Sequence, residues 1–340
     1  MTQRDPQLLV QSAPFLRRGL TTPRLMVEVT IGVAPVVGAA IVFFGVSAVL
    51  VLAAATLGAV LTEYAFPPEP PRGRSLRDGS AVLTGVLLGL TLPPGIALWM
   101  AFIGGAVAIG LGKLVFGGLG QNLFNPALVG RAFLQAAFPT AMTTWTAQSL
   151  AGDWLLPRPG NLALPLMKAP VDTLTTATPL GLMKFEHVPT PLAQLMLGNT
   201  AGSLGETCGA LILVCGLVMA WRRLFDWRIP LAMVLSAAAF SAILWMLAPQ
   251  KYPSPLFMVF SGGLLFGAVY MATDPVTSPV TPAGAWVFGA GAGLLVVLIR
   301  LWGGLPEGVM YAILLMNAAT PLIERATQPR GFGRPGVLKR

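Results

Sequence analysis

The stretch Asp172-Thr173-Leu174-Thr175-Thr176-Ala177-Thr178-Pro179-Leu180 concentrates hydroxyl groups in an otherwise apolar chain. Core packing does not account for such a segment. In a loop, Thr and Asp ordinarily cap helices or close turns, because their side chains satisfy free backbone groups. The chemical use of the same hydroxyls is as oxygen atoms that carry a covalently attached redox group. These nine residues alone leave both uses open.

Three other constellations can hold a ligand. Asn122 and Asn125 stand three apart and share a face if a helix begins there. Carboxamides both donate and accept, which suits a ring edge of alternating donors and acceptors, such as an isoalloxazine, or a quinone carbonyl. The same Asn125, placed before Pro126, also reads as a helix cap. In Gly198-Asn199-Thr200-Ala201-Gly202-Ser203-Leu204-Gly205-Glu206-Thr207 the glycines allow close backbone approach, and a helix start attracts phosphate. Ser203 with Glu206 three residues on also spells a capping box. Asp274-Pro275-Val276-Thr277-Ser278-Pro279-Val280-Thr281-Pro282 is a polar, proline-rich break; its plain reading is a turn between helices.

Several charged residues fall in or near apolar stretches. Arg131 requires a partner there: an anionic ligand, a carboxylate or water. Glu28 and Glu63 fit either an ion path or boundary positions paired with nearby arginines. His187 is the only histidine, so no histidine cluster can hold a metal. Cys208 and Cys215 lie on one apolar segment, about 10 Å apart along a helix, too far for a mutual disulfide.

The elements that must position these residues are membrane helices. Only 10% of residues are charged, 55% are hydrophobic and the mean hydropathy is +0.73. Soluble domains carry about 25% charge. The net charge of +9 lies mostly between and beyond apolar runs, the pattern of a cytoplasmic membrane face rather than of a nucleic-acid surface. Residues 1–24 lack the apolar run and cleavage site of a signal peptide.

Spans of about 20 apolar residues are predicted at 25–45, 46–66, 80–93, 96–117, 125–139, 206–222, 230–247, 255–273, 284–302 and 308–325. The third and fifth are short, with breaks at Pro93-Pro94 and Asn125-Pro126. An all-α integral membrane protein of about ten spans follows. With both termini cytoplasmic, Arg4, Arg17, Arg18, Arg24, Arg72, Arg74, Arg77, Arg222, Arg223, Arg228 and the basic tail all lie inside. Outside loops then hold only Arg158, Lys168, Lys184 and Lys251, with Arg300 near an outer helix end. The long loop 140–205, which carries the threonines, is extracytoplasmic.

A repeat is visible. Gly85-Val86-Leu87-Leu88-Gly89-Leu90-Thr91-Leu92-Pro93-Pro94-Gly95 leads to Gly117-Gly118-Leu119-Gly120 and Asn125-Pro126-Ala127. Gly267-Ala268-Val269-Tyr270-Met271-Ala272-Thr273-Asp274-Pro275 leads to Gly303-Gly304-Leu305 and Asn317-Ala318-Ala319-Thr320-Pro321. Five spans per half make the two repeats inverted. The expected organisation is a cytoplasmic segment 1–24, repeats at 25–139 and 206–325, the loop 140–205 between them, and a cytoplasmic tail 326–340. Such a plan also suits a small-solute transporter or channel, the rival reading.

In order along the chain, Asp78-Gly79-Ser80, Leu90-Thr91-Leu92-Pro93-Pro94, Gly117-Gly118-Leu119-Gly120-Gln121-Asn122, Phe124-Asn125-Pro126-Ala127, Gly202-Ser203-Leu204-Gly205-Glu206-Thr207 and Thr273-Asp274-Pro275-Val276-Thr277 resemble one family. It is the RnfD/NqrB family: RnfD belongs to Rnf electron-transport complexes and NqrB, a more distant likeness, to the sodium-pumping Nqr complex. The family's flavinylation motif, Asp-x-x-Ser/Thr-Gly-Ala-Thr, is matched by Asp172, Thr175, Ala177 and Thr178, with Thr176 in place of the usual glycine.

The resemblance implies FMN joined through its phosphate to Thr178 Oγ by an extracytoplasmic flavin transferase, with Asp172, Thr175, Gly202, Ser203 and Glu206 around it. It further implies a non-covalent riboflavin among the helices, which we assign to Asn122 and Asn125. The implied partners are the other Rnf subunits, among them a second covalent-flavin subunit and iron–sulfur subunits linked to ferredoxin or NADH. The implied setting is the bacterial inner membrane, where electron relay is coupled to ion movement.

Overall fold

The computed structural model describes residues 21–67, 73, 75–146, 148, 154–165, 176–206 and 208–328. Asp172 and Thr175 lie outside the described residues. Every described element is helical. The chain runs through α1 (Thr22–Phe44), α2 (Val46–Ala65), α3 (Ser80–Leu90), α4 (Leu98–Ile109), α5 (Pro126–Ala137) and the short α6 (Pro139–Thr143). After the loop come α7 (Pro179–Gly181), α8 (Leu192–Leu197), α9 (Gly209–Trp221), α10 (Arg228–Leu247), α11 (Pro255–Phe260), α12 (Leu264–Phe266), α13 (Pro282–Trp302) and α14 (Val309–Thr327).

Four helices, α1, α2, α10 and α13, are long and apolar enough to cross a membrane, with mean hydropathies of 2.2, 1.9, 2.0 and 1.9. Shorter apolar helices cover Ser80–Leu90, Leu98–Leu114 and Gly209–Trp221. Their outward faces expose Ile31, Val42, Leu57, Leu61, Leu217, Leu235 and Ile243. Water would not tolerate so apolar an exterior, and lipid covers it without cost. This is a multi-pass membrane protein.

Several predicted spans are interrupted. The segment predicted at 255–273 divides into α11, α12 and the wider turns Gly267–Met271. The fourth span becomes α4 plus similar wide turns over Gly110–Leu114. Polar residues followed by proline start several of these pieces. Asn125, Thr178, Ser254 and Thr281 each accept a bond from a backbone N–H of the next turn, with proline behind them. Proline lacks the amide that would be unpaired at that position.

Two helix pairs dominate the packing: α2 on α4, and α10 on α13. Each has a backbone-to-backbone approach at glycine. A Cβ on Gly105 would lie 2.0 Å from the Ala55 carbonyl oxygen, and one on Gly293 2.2 Å from that of Met233. Small residues allow membrane helices to pack this closely. One apolar core then runs through both halves, with Val33, Phe44, Leu88 and Leu134 joined to Met233, Phe266, Phe288 and Ile313.

The break after α3 is bonded by the loop between the two halves. Leu204 N–H donates to the Leu92 carbonyl at 3.2 Å, and Gly205 N–H to that of Leu90 at 2.6 Å. Asn161 Nδ2 donates to the carbonyls of Pro94 and Ile96 at 2.9 and 2.8 Å. Unwound backbone within a membrane protein requires such partners. The same pairing diverts the Ser203–Glu206 segment from a capping box: α9 starts at Gly209, behind Cys208, and not at Glu206.

The matched asparagines of the repeat meet but play different parts. Asn125 caps α5, whereas Asn317 lies inside α14.

Candidate functional site

Thr178 is the N-cap of α7. Its Oγ1 accepts from Gly181 N–H at 3.1 Å, and Pro179 follows it. Upstream, Thr176 is anchored to the Trp145 carbonyl by its N–H at 2.8 Å and its hydroxyl at 3.2 Å. Downstream, Leu180 is buried beside Leu195 and Phe257. Lys184 Nζ donates to the carbonyls of Gly303 and Leu305 at 2.5 and 3.1 Å, tying this segment to the α13–α14 loop. Burial there lowers the amine's pKa below the usual lysine value. Gln148 Nε2 donates to the Gly198 and Thr200 carbonyls and so holds the glycine-rich segment nearby.

Thr178 opens on a cavity of about 370 Å³ lined also by Arg131, Gln135, Trp145, Glu307 and Tyr311. That volume falls in the range of small-molecule sites, and the lining mixes aromatic, amide and charged groups. A second cavity, of about 30 Å³, joins Thr178 to Gly202, Glu206 and Glu307. It has room for about one water.

Beneath these cavities lies a charge cluster. Arg131 Nη2 donates to Glu307 Oε2 at 2.6 Å, and its Nη1 lies 3.7 Å from Glu206 Oε1. Thus Arg131 finds carboxylate partners, as its apolar setting required. Glu307 Oε1 also accepts from Gly263 N–H at 3.0 Å. Burial pushes the Glu307 carboxyl up; the Arg131 guanidinium, the Gly263 amide and Arg300 outweigh it and hold the group below the ordinary carboxylate range. Arg300 is buried and donates to the carbonyls of Met258 and Ser261 at 2.6 and 2.9 Å. Gly262, at φ +59°, threads between these groups. A Cβ there would lie 2.5 Å from Leu180 Cδ1 and 2.7 Å from Glu307 Oε1. Any side chain would disrupt the cluster.

Of the predicted residues, the structure brings Thr178, Gly202 and Glu206 together at one cavity. Ser203 is buried beside them, its hydroxyl without a partner among the described residues. Asn122 and Asn125 belong elsewhere: α5, 12 residues and so about 18 Å long, separates Asn125 from the Thr178 end.

Asn125 is largely committed to the fold. Its Oδ1 caps Ala127 and Leu128, and its Nδ2 donates to the Met271 carbonyl at 3.0 Å. Asn122 donates to the Phe124 carbonyl at 3.3 Å, while its Oδ1 is buried without a partner. Both line a cavity of about 70 Å³ with Lys113, Tyr270, Thr273 and Asp274. The Asn122 acceptor suits a ring N–H, but the volume is far below the roughly 300 Å³ at which small-molecule sites begin. Riboflavin does not fit this cavity as it stands.

Glu28 is paired with Arg24 at 3.0 Å and Arg222 at 3.2 Å, the boundary arrangement. Glu63 differs. It is fully buried and bonded to Lys113 Nζ at 2.7 Å, on α4's continuation rather than on any arginine. No group of three or more His, Cys, Asp or Glu residues capable of holding a metal occurs among the described residues. Glu307, Trp145 and Tyr311 were not anticipated. Only the need of Arg131 for a counter-charge pointed to Glu307, and it did not say which acid.

Comparison with known proteins adds independent findings. The model of the NQR2, RnfD, RnfE family matches residues 9–333. The D subunit of an ion-translocating oxidoreductase complex from Stutzerimonas stutzeri is 41% identical over 333 residues, covering 92% of each chain. The D subunit of a proton-translocating ferredoxin:NAD(+) oxidoreductase complex from Clostridium ljungdahlii is 38% identical over 95% of this chain and 96% of its own. Its Na(+)-translocating counterpart from Acetobacterium woodii is 38% identical over 98% and 97%.

Proposed function

Because the chain belongs to the NQR2, RnfD, RnfE family, we propose that it is the D subunit of an Rnf-type ion-translocating electron-transport complex, carrying FMN on Thr178 through a phosphoester. The observation that carries this reading is the Thr178 hydroxyl at the wall of a 370 Å³ cavity with Arg131 and Glu307 behind it. The group supplies the electron-transfer chemistry; the chain supplies position and electrostatics.

The residues divide that work. Thr178 tethers the flavin, so it cannot dissociate and its local concentration stays high. Thr176, Lys184 and Leu180 hold the tether's backbone on three sides. Arg131 and Glu307 set a fixed pair of opposite charges at the cavity wall. A flavin transferase attaches the group on the extracytoplasmic side, and partner subunits, including a second covalent-flavin subunit and iron–sulfur subunits, supply and accept electrons.

The same reading takes the helices as about ten spans in two inverted repeats, with both termini cytoplasmic in the bacterial inner membrane. The matching close pairs, α2 on α4 and α10 on α13, support the repeat. A non-covalent riboflavin remains part of this reading only if the walls around Asn122 move apart, and no step is routed through it. The rival, a small-solute transporter, has no use for a hydroxyl set beside a part-buried Arg–Glu pair.

The test is ultraviolet fluorescence of the denatured protein on a gel. The native band fluoresces, and Thr178→Ala inserts normally but is dark. A fluorescent Thr178→Ala band moves the attachment to another threonine.

A further inference from the structure

Two carboxylates converge on one glycine. The Gly263 N–H donates to Glu307 Oε1 at 3.0 Å. A Cβ on the same Gly263 would lie 2.7 Å from Glu206 Oε1. The two acids therefore crowd together, and only one of them is well served. Glu307 takes the short 2.6 Å bond from Arg131 and the Gly263 amide. Glu206 Oε1 accepts no hydrogen bond, is buried, and lies 3.7 Å from Arg131.

The other charges do not relieve it. Arg300 faces the cluster from α13 but spends its Nη groups on the Met258 and Ser261 carbonyls. Lys184 spends its ammonium on the Gly303 and Leu305 carbonyls. Glu186, which lines the larger cavity, is a further acid and not a counter-charge. The Ser203 hydroxyl, on Glu206's own segment, also faces this carboxyl. A buried carboxylate oxygen without a hydrogen bond, beside a second carboxylate, is strongly disfavoured.

We propose that Glu206 and Glu307 hold a single proton between them and that it resides on Glu206. The small cavity that joins Thr178 to Glu206 and Glu307 has room for about one water and places that proton beside the Thr178 hydroxyl.

Infrared difference spectroscopy on the intact complex tests the pair without reference to the flavin. The wild type minus Glu206→Gln spectrum shows a protonated carboxyl C=O band that shifts in heavy water. Glu307→Gln removes the competing charge and frees the Arg131 bond, so Glu206 ionises and the band disappears. A merely structural Glu206 would show no such loss on altering its neighbour. Absence of the band from the wild type, or its persistence in Glu307→Gln, overturns the shared proton.

Discussion

The backbone N–H of Asn125 donates to Oδ1 of Asn317 at 3.2 Å, joining residues 192 apart in sequence. Asn317 is fully buried, and its Nδ2 donates in turn to the Thr277 carbonyl at 3.2 Å. One carboxamide thus ties the start of α5 to the polar break before α13.

Asn317→Ala removes both bonds at once. It strips the partner from the buried Asn125 N–H, and a buried group left unpaired costs about 1–3 kcal/mol. The melting temperature in detergent falls, whereas Asn317→Gln recovers part of the loss. An unchanged melting temperature in the alanine variant refutes the tie.

The Glu63–Lys113 pair makes a second prediction about stability. Lys113 Nζ bonds Glu63 at 2.7 Å and Ser80 Oγ at 2.6 Å, and both charged side chains are almost wholly buried. Glu63→Ala leaves the buried Lys113 ammonium only the Ser80 hydroxyl and the more distant Asp78 carboxylate at 3.8 Å, and costs about 3 kcal/mol. Replacing both residues with methionine costs much less, because no lone charge is left. Equal loss in the single and double variants would contradict this.

Topology is checked with reporters. An export-dependent reporter fused near residue 165 is active, and a cytoplasm-dependent one placed after Arg340 is active too. The reverse pattern removes both the orientation and the argument that a flavin transferase reaches Thr178.

The asparagines separate by experiment. Asn122→Leu takes away a buried, unpartnered acceptor of its cavity, so any acid-extractable riboflavin falls about ten- to a hundredfold in occupancy at subsaturating ligand. Asn125→Leu mainly loses the α5 cap and lowers stability, by about 1 kcal/mol. Extractable flavin absent from the intact wild-type complex, or unaffected by Asn122→Leu, ends the riboflavin assignment.

These cases show which features a linear reading captures. Arg131 in an apolar run announces its own need for a counter-charge, because desolvation acts on any buried cation. The identity of Glu307 was hidden, since 176 residues and a whole helical half separate the two. Glu63 was ambiguous for a related reason: nearby arginines offered partners, but folding supplied Lys113 from α4's continuation. Ser203 and Glu206 spelled a capping box correctly by local rule. The carbonyls of Leu90 and Leu92 overrode it, because an unwound break needs donors more than α9 needs a cap. Periodicity and hydropathy identified the long helices, whereas the breaks at Ser261–Gly263 and the wide turns over Gly110–Leu114 depend on contacts far along the chain.

The pairing of Leu204 and Gly205 with the Leu92 and Leu90 carbonyls has a further consequence when set beside Tyr270 Oη, which donates to the Gly32 carbonyl at 3.0 Å. Together with Asn125 and Asn317, these bonds stitch the first half to the second and to the loop between them along one seam. A rocking carrier would have to rip that seam open on every cycle, baring buried amides at about 1–3 kcal/mol apiece. A wire has the opposite requirement. Electron hopping weakens steeply with distance, so its sites must keep a constant gauge, and a frame sewn shut provides one.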